Sequence, residues 1–323
     1  MRLGSIGTSW ICSAFLSAAE KQAGIEYRAA YSRSRTNAAA FAAQHGADSI
    51  FTDLAEMAQS DMIDAVYIAS PNRFHYAQSK LFLEHGKHVL CEKPLTTTLA
   101  QELELIALAE QKQLVYTEAI VSIHTPAFRI LRETMQTIGA IRSANLVFCQ
   151  LSSKYPAYLN GGNPNIFNPA MHTGCLMDIG VYNVYLAAAL FGKPDKILSD
   201  AIFLPSGADA SGSAILKYGD MTATLVYSKV GQNYAPSEII GDKGTIQIKS
   251  VSQLTGIDLI TGNERKNLVP CEKTRDEIMG AEAAFFRDTV LNGYNDDYRF
   301  AKNISLLVRE ITDEIRRQNG FPF

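Results

Sequence analysis

One tryptophan stands among the 323 residues, the five cysteines are scattered, and neither charge dominates. Cys12, Cys91, Cys149, Cys175 and Cys271 form no C-x-x-C pair, which argues against a disulfide scaffold and fits reduced thiols in a cytoplasmic protein. The nearest mixed metal-type pair, His172 and Cys175, lacks a second pair to complete a tetrahedron, so no metal is expected. Lys and Arg total 30 against 33 Asp and Glu, a formal net charge of -3, and no stretch gathers the basic residues. Such a balance makes nucleic acid and anionic membranes poor partners. No run approaches the roughly twenty consecutive apolar residues that a membrane helix needs. Met1 to Gly7 is likewise too short an apolar stretch for a signal peptide.

What is present is a change of texture along the chain. The first third alternates short apolar runs with amphipathic stretches, the pattern of βαβ units and a parallel sheet. Strands are predicted at Leu3 to Ile6, Tyr27 to Tyr31, Ala65 to Ala69, His88 to Cys91 and Leu114 to Thr117. Helices are predicted at Trp10 to Ala23, Asn37 to His45, Phe74 to His85 and Ala100 to Lys112, with Gly24, Gly46 and Gly86 as stops. Beyond about residue 119, a helix over Pro126 to Thr137 leads into β-prone segments at Ile141 to Leu151, Lys196 to Leu204, Ser213 to Tyr218 and Met221 to Lys229. Gly219-Asp220 between the last two is a hairpin signal. The fold class expected is therefore α/β: an N-terminal Rossmann parallel sheet with helices on both faces, then a C-terminal α+β domain with an open, mostly antiparallel sheet. The division is placed at 1–119 and 120–323, with Tyr155 to Pro169 as a loop over the site and the final helix, Phe300 to Gln318, packing back on the first domain.

The loop Gly7-Thr8-Ser9-Trp10-Ile11 follows a strand and opens a helix, where a pyrophosphate binds to main-chain N–H groups. After the second strand, Ser32 and Arg33 stand where NAD-binding folds carry a carboxylate for the ribose. A planar guanidinium there suits a 2′-phosphate, and Arg35 adds charge, so NADP is favoured over NAD. Ser70-Pro71-Asn72 with His75, and Cys91-Glu92-Lys93-Pro94, follow the next strong strands, at the carboxyl ends where ligands sit in such sheets. A lysine there can hold a substrate oxygen or give it a proton. Asp178 and Tyr182 are four apart and share one helix face.

These elements in this order, closing with Glu118-Ala119 and Leu176-Met177-Asp178-Ile179-Gly180-Val181-Tyr182, resemble the Gfo/Idh/MocA oxidoreductase family. Tyrosine at position 182 is similar to the branch with glucose–fructose oxidoreductase and the dihydrodiol or xylose dehydrogenases. The resemblance implies that Lys93 orients or protonates the substrate oxygen near the nicotinamide, and that Asp178 and Tyr182 line its other side. Tyr182 is then the proton-transfer candidate. It also implies that Gly7, Thr8, Ser9, Trp10, Ile11, Ser32, Arg33, Ser70, Asn72, His75, Glu92 and Lys93 serve the cofactor. Tyr155 and His172 join the substrate set as residues outside any matched motif. Two departures stand out: Ser9 replaces a usual glycine, and Ile123-His124-Thr125-Pro126 lacks the arginine that many relatives carry before the proline, which points to an altered substrate pocket.

The expected activity is hydride transfer between nicotinamide and a sugar, polyol or related hydroxyl or carbonyl compound. Relatives that cleave glycosides with tightly held NAD, and a sensor that binds NADP without catalysis, are the alternatives. The open sheet needs cover on one face, so a homodimer or homotetramer is expected.

Overall fold

A computed structural model describes residues 1–322 as two compact units, Met1–Val121 with Thr274–Asn303, and Ser122–Lys273 with the residues from Ile304 onward. In the first unit, strands β1 (Arg2–Ile6), β2 (Glu26–Tyr31), β3 (Ser49–Phe51), β4 (Ala65–Ile68), β5 (His88–Glu92) and β6 (Tyr116–Ala119) form one sheet. Their order is β3-β2-β1-β4-β5-β6 and every pairing is parallel, the doubly wound arrangement of dinucleotide-binding folds. Ala65-Val66-Tyr67-Ile68 is buried at all four positions, as a central parallel strand covered on both faces must be.

The helices of this part are α1 (Trp10–Ala19), α2 (Arg35–His45), α3 (Leu54–Gln59), α4 (His75–Glu84) and α5 (Leu99–Lys112). Side-chain caps start three of them: Ser34 accepts from Asn37 N, Asp53 from Ala55 N and Glu56 N, and Thr98 from Gln101 N. The short β3 and α3 are additions to the sequence expectation. Three residues of strand and six of helix are too few to show a period. β6 also lies two residues later than expected, and α1 stops at Ala19 rather than Ala23.

In the second unit, α6 (Pro126–Met135) precedes β7 (Ile141–Cys149), α7 (Tyr155–Leu159) and α8 (Val181–Phe191). Seven strands follow: β8 (Lys196–Phe203), β9 (Asp209–Tyr218), β10 (Met221–Ser228), β11 (Ser237–Gly241), β12 (Thr245–Ser250), β13 (Thr255–Thr261) and β14 (Glu264–Val269). The sheet order is β14-β13-β12-β11-β7-β10-β9-β8; only the β7–β10 pairing is parallel. Tyr218 pairs with Met221 across Gly219-Asp220, so the expected hairpin is formed. The expected loop from Tyr155 to Pro169 is partly ordered, with α7 at its start and a 3-10 turn at Asn165–Phe167.

The stretch Pro169–Phe191 is long and apolar enough by composition to cross a membrane, although His172 and Asp178 interrupt its apolar run. Its most apolar window is 78% buried inside the fold, so its apolarity is that of a core helix.

The chain then supplies α9 (Arg275–Asn292) to the first unit. Met279, Ala283 and Phe286 of α9 join Leu3, Phe15 and Leu16 in one apolar cluster. Thr274 and Glu277 form a capping box at its start. In α10 (Asp296–Asn319), the stripe Ile304, Val308, Ile311 and Ile315 is buried and groups with the second unit. The return to the first unit is therefore made by Thr274–Asn303, rather than by the final helix as a whole.

Candidate active site

In the first unit the site is built largely from main chain. Gly7 leaves β1 with φ +110°, and a Cβ there would stand 2.7 Å from the Ala69 carbonyl oxygen at the end of β4. No side chain fits, so the first glycine of the loop is required by both conformation and space. Ser9 is the residue before α1, exposed and extended, and its side chain makes no cap bond. The first N–H groups of α1 therefore have no side-chain cap, and they form the anion-binding end of a helix. Ser9 does not close that end, and the loop fits a dinucleotide phosphate. Thr8 and Trp10 are exposed, Trp10 at 65%, and the Arg275 guanidinium lies 4.7 Å from the indole ring centre. Ile11 is half-buried beneath them.

Past β2, Ser32 accepts from Ser34 N at 3.3 Å, which shapes the turn. Arg33 and Arg35 are exposed, and neither forms an ion pair among the described residues. Ser70 donates its hydroxyl to Gln78 at 2.7 Å, and Asn72 begins a 3-10 turn that leads into α4.

His75 is fully buried. Its Nδ1 lies 2.8 Å from the Pro94 carbonyl and its Nε2 2.8 Å from the Ser70 carbonyl. Burial lowers the imidazole pKa, and the two carbonyls act against that shift. Both ring nitrogens are committed within the fold, so His75 ties the loop after β4 to the loop after β5. Direct contact with a cofactor is not its position.

Lys93 follows Glu92 and precedes a cis bond to Pro94. Glu92 accepts from the Tyr67 hydroxyl at 2.6 Å and from Lys93 N at 3.3 Å, and burial raises its pKa. Glu118 accepts from Leu95 N at 2.8 Å, which fixes the segment just past Lys93. Glu282 on α9 lies in the same electrostatic neighbourhood, is 1% exposed, and has no hydrogen-bond partner for either oxygen among the described residues. Burial, then Glu92 and Glu118, push its carboxyl well above the usual range.

In the second unit the polar groups are side chains on a helix that lies on the sheet. The expected α-helical spacing of Asp178 and Tyr182 is modified, because Leu176–Gly180 winds as a π turn in which Val181 N–H reaches the Leu176 carbonyl. Such bulges recur at functional sites. Gly180 makes the close contact possible: a Cβ there would stand 2.9 Å from Cγ of the buried Tyr227 ring, whose hydroxyl end lies close to Gly212, its cross-strand partner on β9. The helix thus rests directly on β10, and the Asp178 carboxylate forms an ion pair with the Lys229 ammonium. Tyr182 packs edge-on to Phe148 at 5.9 Å between ring centres.

Asp209 on β9 accepts from Leu176 N at 2.6 Å beneath the same helix start, and burial raises its pKa to about 6. Tyr155 is held by the rings of Tyr158 and Phe167, at 6.3 and 5.8 Å. His172 takes a left-handed turn after a 3-10 turn over Pro169–Met171. His124 has its pKa pushed down to about 3 by burial, as a neutral core histidine.

Lys229, Asp209, Glu282 and Arg275 are absent from the sequence expectation. Lys229 could have been found: Ala223, Leu225 and Tyr227 face inward at every second position of β10, and the next inward position is 229.

Residues 1–120 match the oxidoreductase family with an NAD-binding Rossmann fold, and residues 128–247 match the Gfo/Idh/MocA C-terminal domain. The chain belongs to the Gfo/Idh/MocA oxidoreductase family. As a member, it is an NAD(P)-dependent oxidoreductase. It is 39% identical to an uncharacterised oxidoreductase of Escherichia coli, over all of this chain and 98% of that one. It is 38% identical to a scyllo-inositol 2-dehydrogenase (NADP(+)) of Bacillus subtilis, again over 100% of this chain and 98% of the relative. The fold matches that of a 3-ketoreductase from Actinomadura kijaniata in complex with NADP and TDP-benzene. That likeness has a TM-score of 0.86 and 24% identity, and it covers 99% and 98% of the two chains.

Proposed function

We propose that this Gfo/Idh/MocA protein is an NADP(H)-dependent oxidoreductase whose substrate is a polyol, sugar or related carbohydrate-like hydroxyl or carbonyl compound. The observation that carries the reading is full-length likeness to an enzyme named for scyllo-inositol and NADP(+), found in a chain that keeps Lys93, Asp178 and Tyr182. When bound, the nicotinamide cofactor supplies the hydride chemistry. Gly7 to Ile11 hold its phosphates by main-chain N–H groups, and Ser32 with the exposed Arg33 serves the 2′-phosphate. Ser70, Asn72 and Glu92 border the same strand ends, with His75 holding their loops in place.

Among the substrate residues, Lys93 holds the reacting oxygen, Asp178 accepts from a hydroxyl, and Tyr182 takes or returns the hydroxyl proton. Tyr155 and His172 belong to the loop that precedes Asp178. The protein is assigned to the cytoplasm, consistent with Cys12, Cys91 and Cys175 being buried free thiols. Assembly into a homodimer or homotetramer through the open sheet is supported by Leu198 and Ile215, paired across β8 and β9 and exposed at 51% and 44%.

The test is a screen of cyclic and linear polyols and aldoses with NADP+, following nicotinamide reduction. Turnover that is abolished by Lys93→Met and Tyr182→Phe supports the reading. Absence of turnover across the panel, or two variants as fast as wild type, overturns it.

A further inference from the structure

Lys229 is 8% exposed, at the end of a strand whose inward positions are otherwise Ala223, Leu225 and Tyr227. Its main chain is fixed on both sides: Lys229 N donates to the Ala210 carbonyl at 2.8 Å, and its carbonyl accepts from Ser152 N at 2.9 Å. Its ammonium has one partner among the described residues, the Asp178 carboxylate, whose side chain remains 30% exposed. A buried ammonium is costly unless paired, so the ion pair constrains both groups. The same contact depends on the bare Gly180 face that lets the π turn rest on Tyr227.

We propose that Lys229 is a positioning residue for substrate recognition: by pairing with Asp178 it fixes the rotamer of the carboxylate that receives a substrate hydroxyl. This rests on the reading of Asp178 as a substrate residue. Lys229 acts through Asp178 and touches no reacting atom itself. Asp178 is partly open while Lys229 is closed off, so the aspartate can meet a ligand as the lysine sets its direction. An exposed aspartate would sample several rotamers and would lose entropy on binding a hydroxyl; one pinned from behind is preorganised.

The experiment measures kcat and KM of the full chain with NADP+ and the best polyol of the screen, for wild type, Lys229→Met, Lys229→Arg, Asp178→Asn and the double variant. Truncating one partner of a buried pair commonly has a large effect. The expectation for Lys229→Met is a rise in KM of at least about tenfold, with a smaller change in kcat. Lys229→Arg keeps the charge and recovers most of the loss. The double variant is no worse than Asp178→Asn by more than about twofold, because contacting residues that act as one unit are non-additive. NADPH binding read from Trp10 fluorescence stays at the wild-type level, and a cooperative thermal transition at the wild-type temperature shows that the variants are folded.

Three outcomes overturn the proposal. The first is a Lys229→Met enzyme with wild-type KM while Asp178→Asn is impaired, which leaves the functional reading standing. The second is a double variant whose losses simply add. The third is Asp178→Asn with unchanged kinetics, which removes Asp178 from the site and this inference with it. If Lys229→Met does not fold, Lys229→Arg against the double variant decides the same question.

Discussion

The two units carry their polar groups in different ways. In the first, the groups proposed to meet a ligand are main-chain N–H groups and loop residues at the carboxyl ends of parallel strands, around Gly7, Ser70 and Lys93. In the second, they are side chains on a helix laid across a sheet face, where Asp178 is set by Lys229 and by the missing Cβ of Gly180. A main-chain site tolerates side-chain change, and Ser9 in place of glycine leaves the start of α1 without a side-chain cap. A side-chain site depends on exact packing, so its weak point is a glycine that touches no ligand.

The largest expected effect tests whether both units supply chemistry. Lys93→Met and Tyr182→Phe each lower kcat by about 100-fold or more, the usual worth of a positioned proton donor or acceptor. Both variants keep the wild-type melting temperature, and single-turnover rates show that the loss lies in the chemical step. If only one falls, the chemistry belongs to one unit.

The next effect separates the cofactor contacts of the first unit from the rest. Arg33→Ala weakens NADPH by about tenfold, the loss of a charge-assisted phosphate contact, and leaves NADH unchanged. Isothermal titration with both nucleotides decides it.

The two glycines sharpen the comparison directly. Gly7→Ala meets the Ala69 carbonyl and impairs nucleotide binding, while polyol recognition in the second unit is spared. Gly180→Ala meets the Tyr227 ring, which is fully buried and cannot swing away, so the helix must lift. Overpacking of this kind costs about 1–3 kcal/mol. Gly180→Ala therefore lowers the melting temperature and raises the polyol KM with NADPH affinity unchanged. Equal effects of both substitutions on both ligands would dissolve the distinction.

How much of this was legible follows from the same physics. The parallel strands, Gly7 and the hairpin at Gly219-Asp220 are local patterns, so composition and spacing exposed them, whereas the run from Asp178 to Tyr182 was legible only through its resemblance to the family's motif. β3 and α3 were too short to show a period. β11 to β14 and α9 lay beyond the segments whose patterns were strong enough to assign. Lys229, just past β10, continues its inward positions with a charge instead of an apolar residue, which in sequence looks like a strand end. Glu282 was invisible because a glutamate on a helix is usually exposed. Only the return of α9 buries it near Glu92 and Glu118. His75 was legible as a functional position but not in its role, since its two carbonyl partners lie in separate loops.

The smallest expected effect concerns that buried glutamate. A carboxyl whose folded pKa is raised contributes stability below its unfolded value, and that contribution is lost as pH rises through the folded value. Glu282→Gln removes the titration, so it raises the melting temperature relative to wild type at about pH 8, and the gain shrinks toward about pH 4, near the unfolded carboxyl value. Calorimetry across that range checks it; a gain independent of pH would mean the carboxyl does not titrate there.

The proposed cofactor, a nicotinamide dinucleotide with a 2′-phosphate, binds the first unit at the loop from Gly7 to Ile11. Trp10, the one tryptophan, reports from inside that loop. Titrating the full chain with NADPH and with NADH while following its emission tests the claim most directly. Saturable quenching by NADPH is expected at concentrations about tenfold or more below those NADH requires, given the Arg33 guanidinium. Equal or tighter binding of NADH, or no response to either nucleotide, would contradict it.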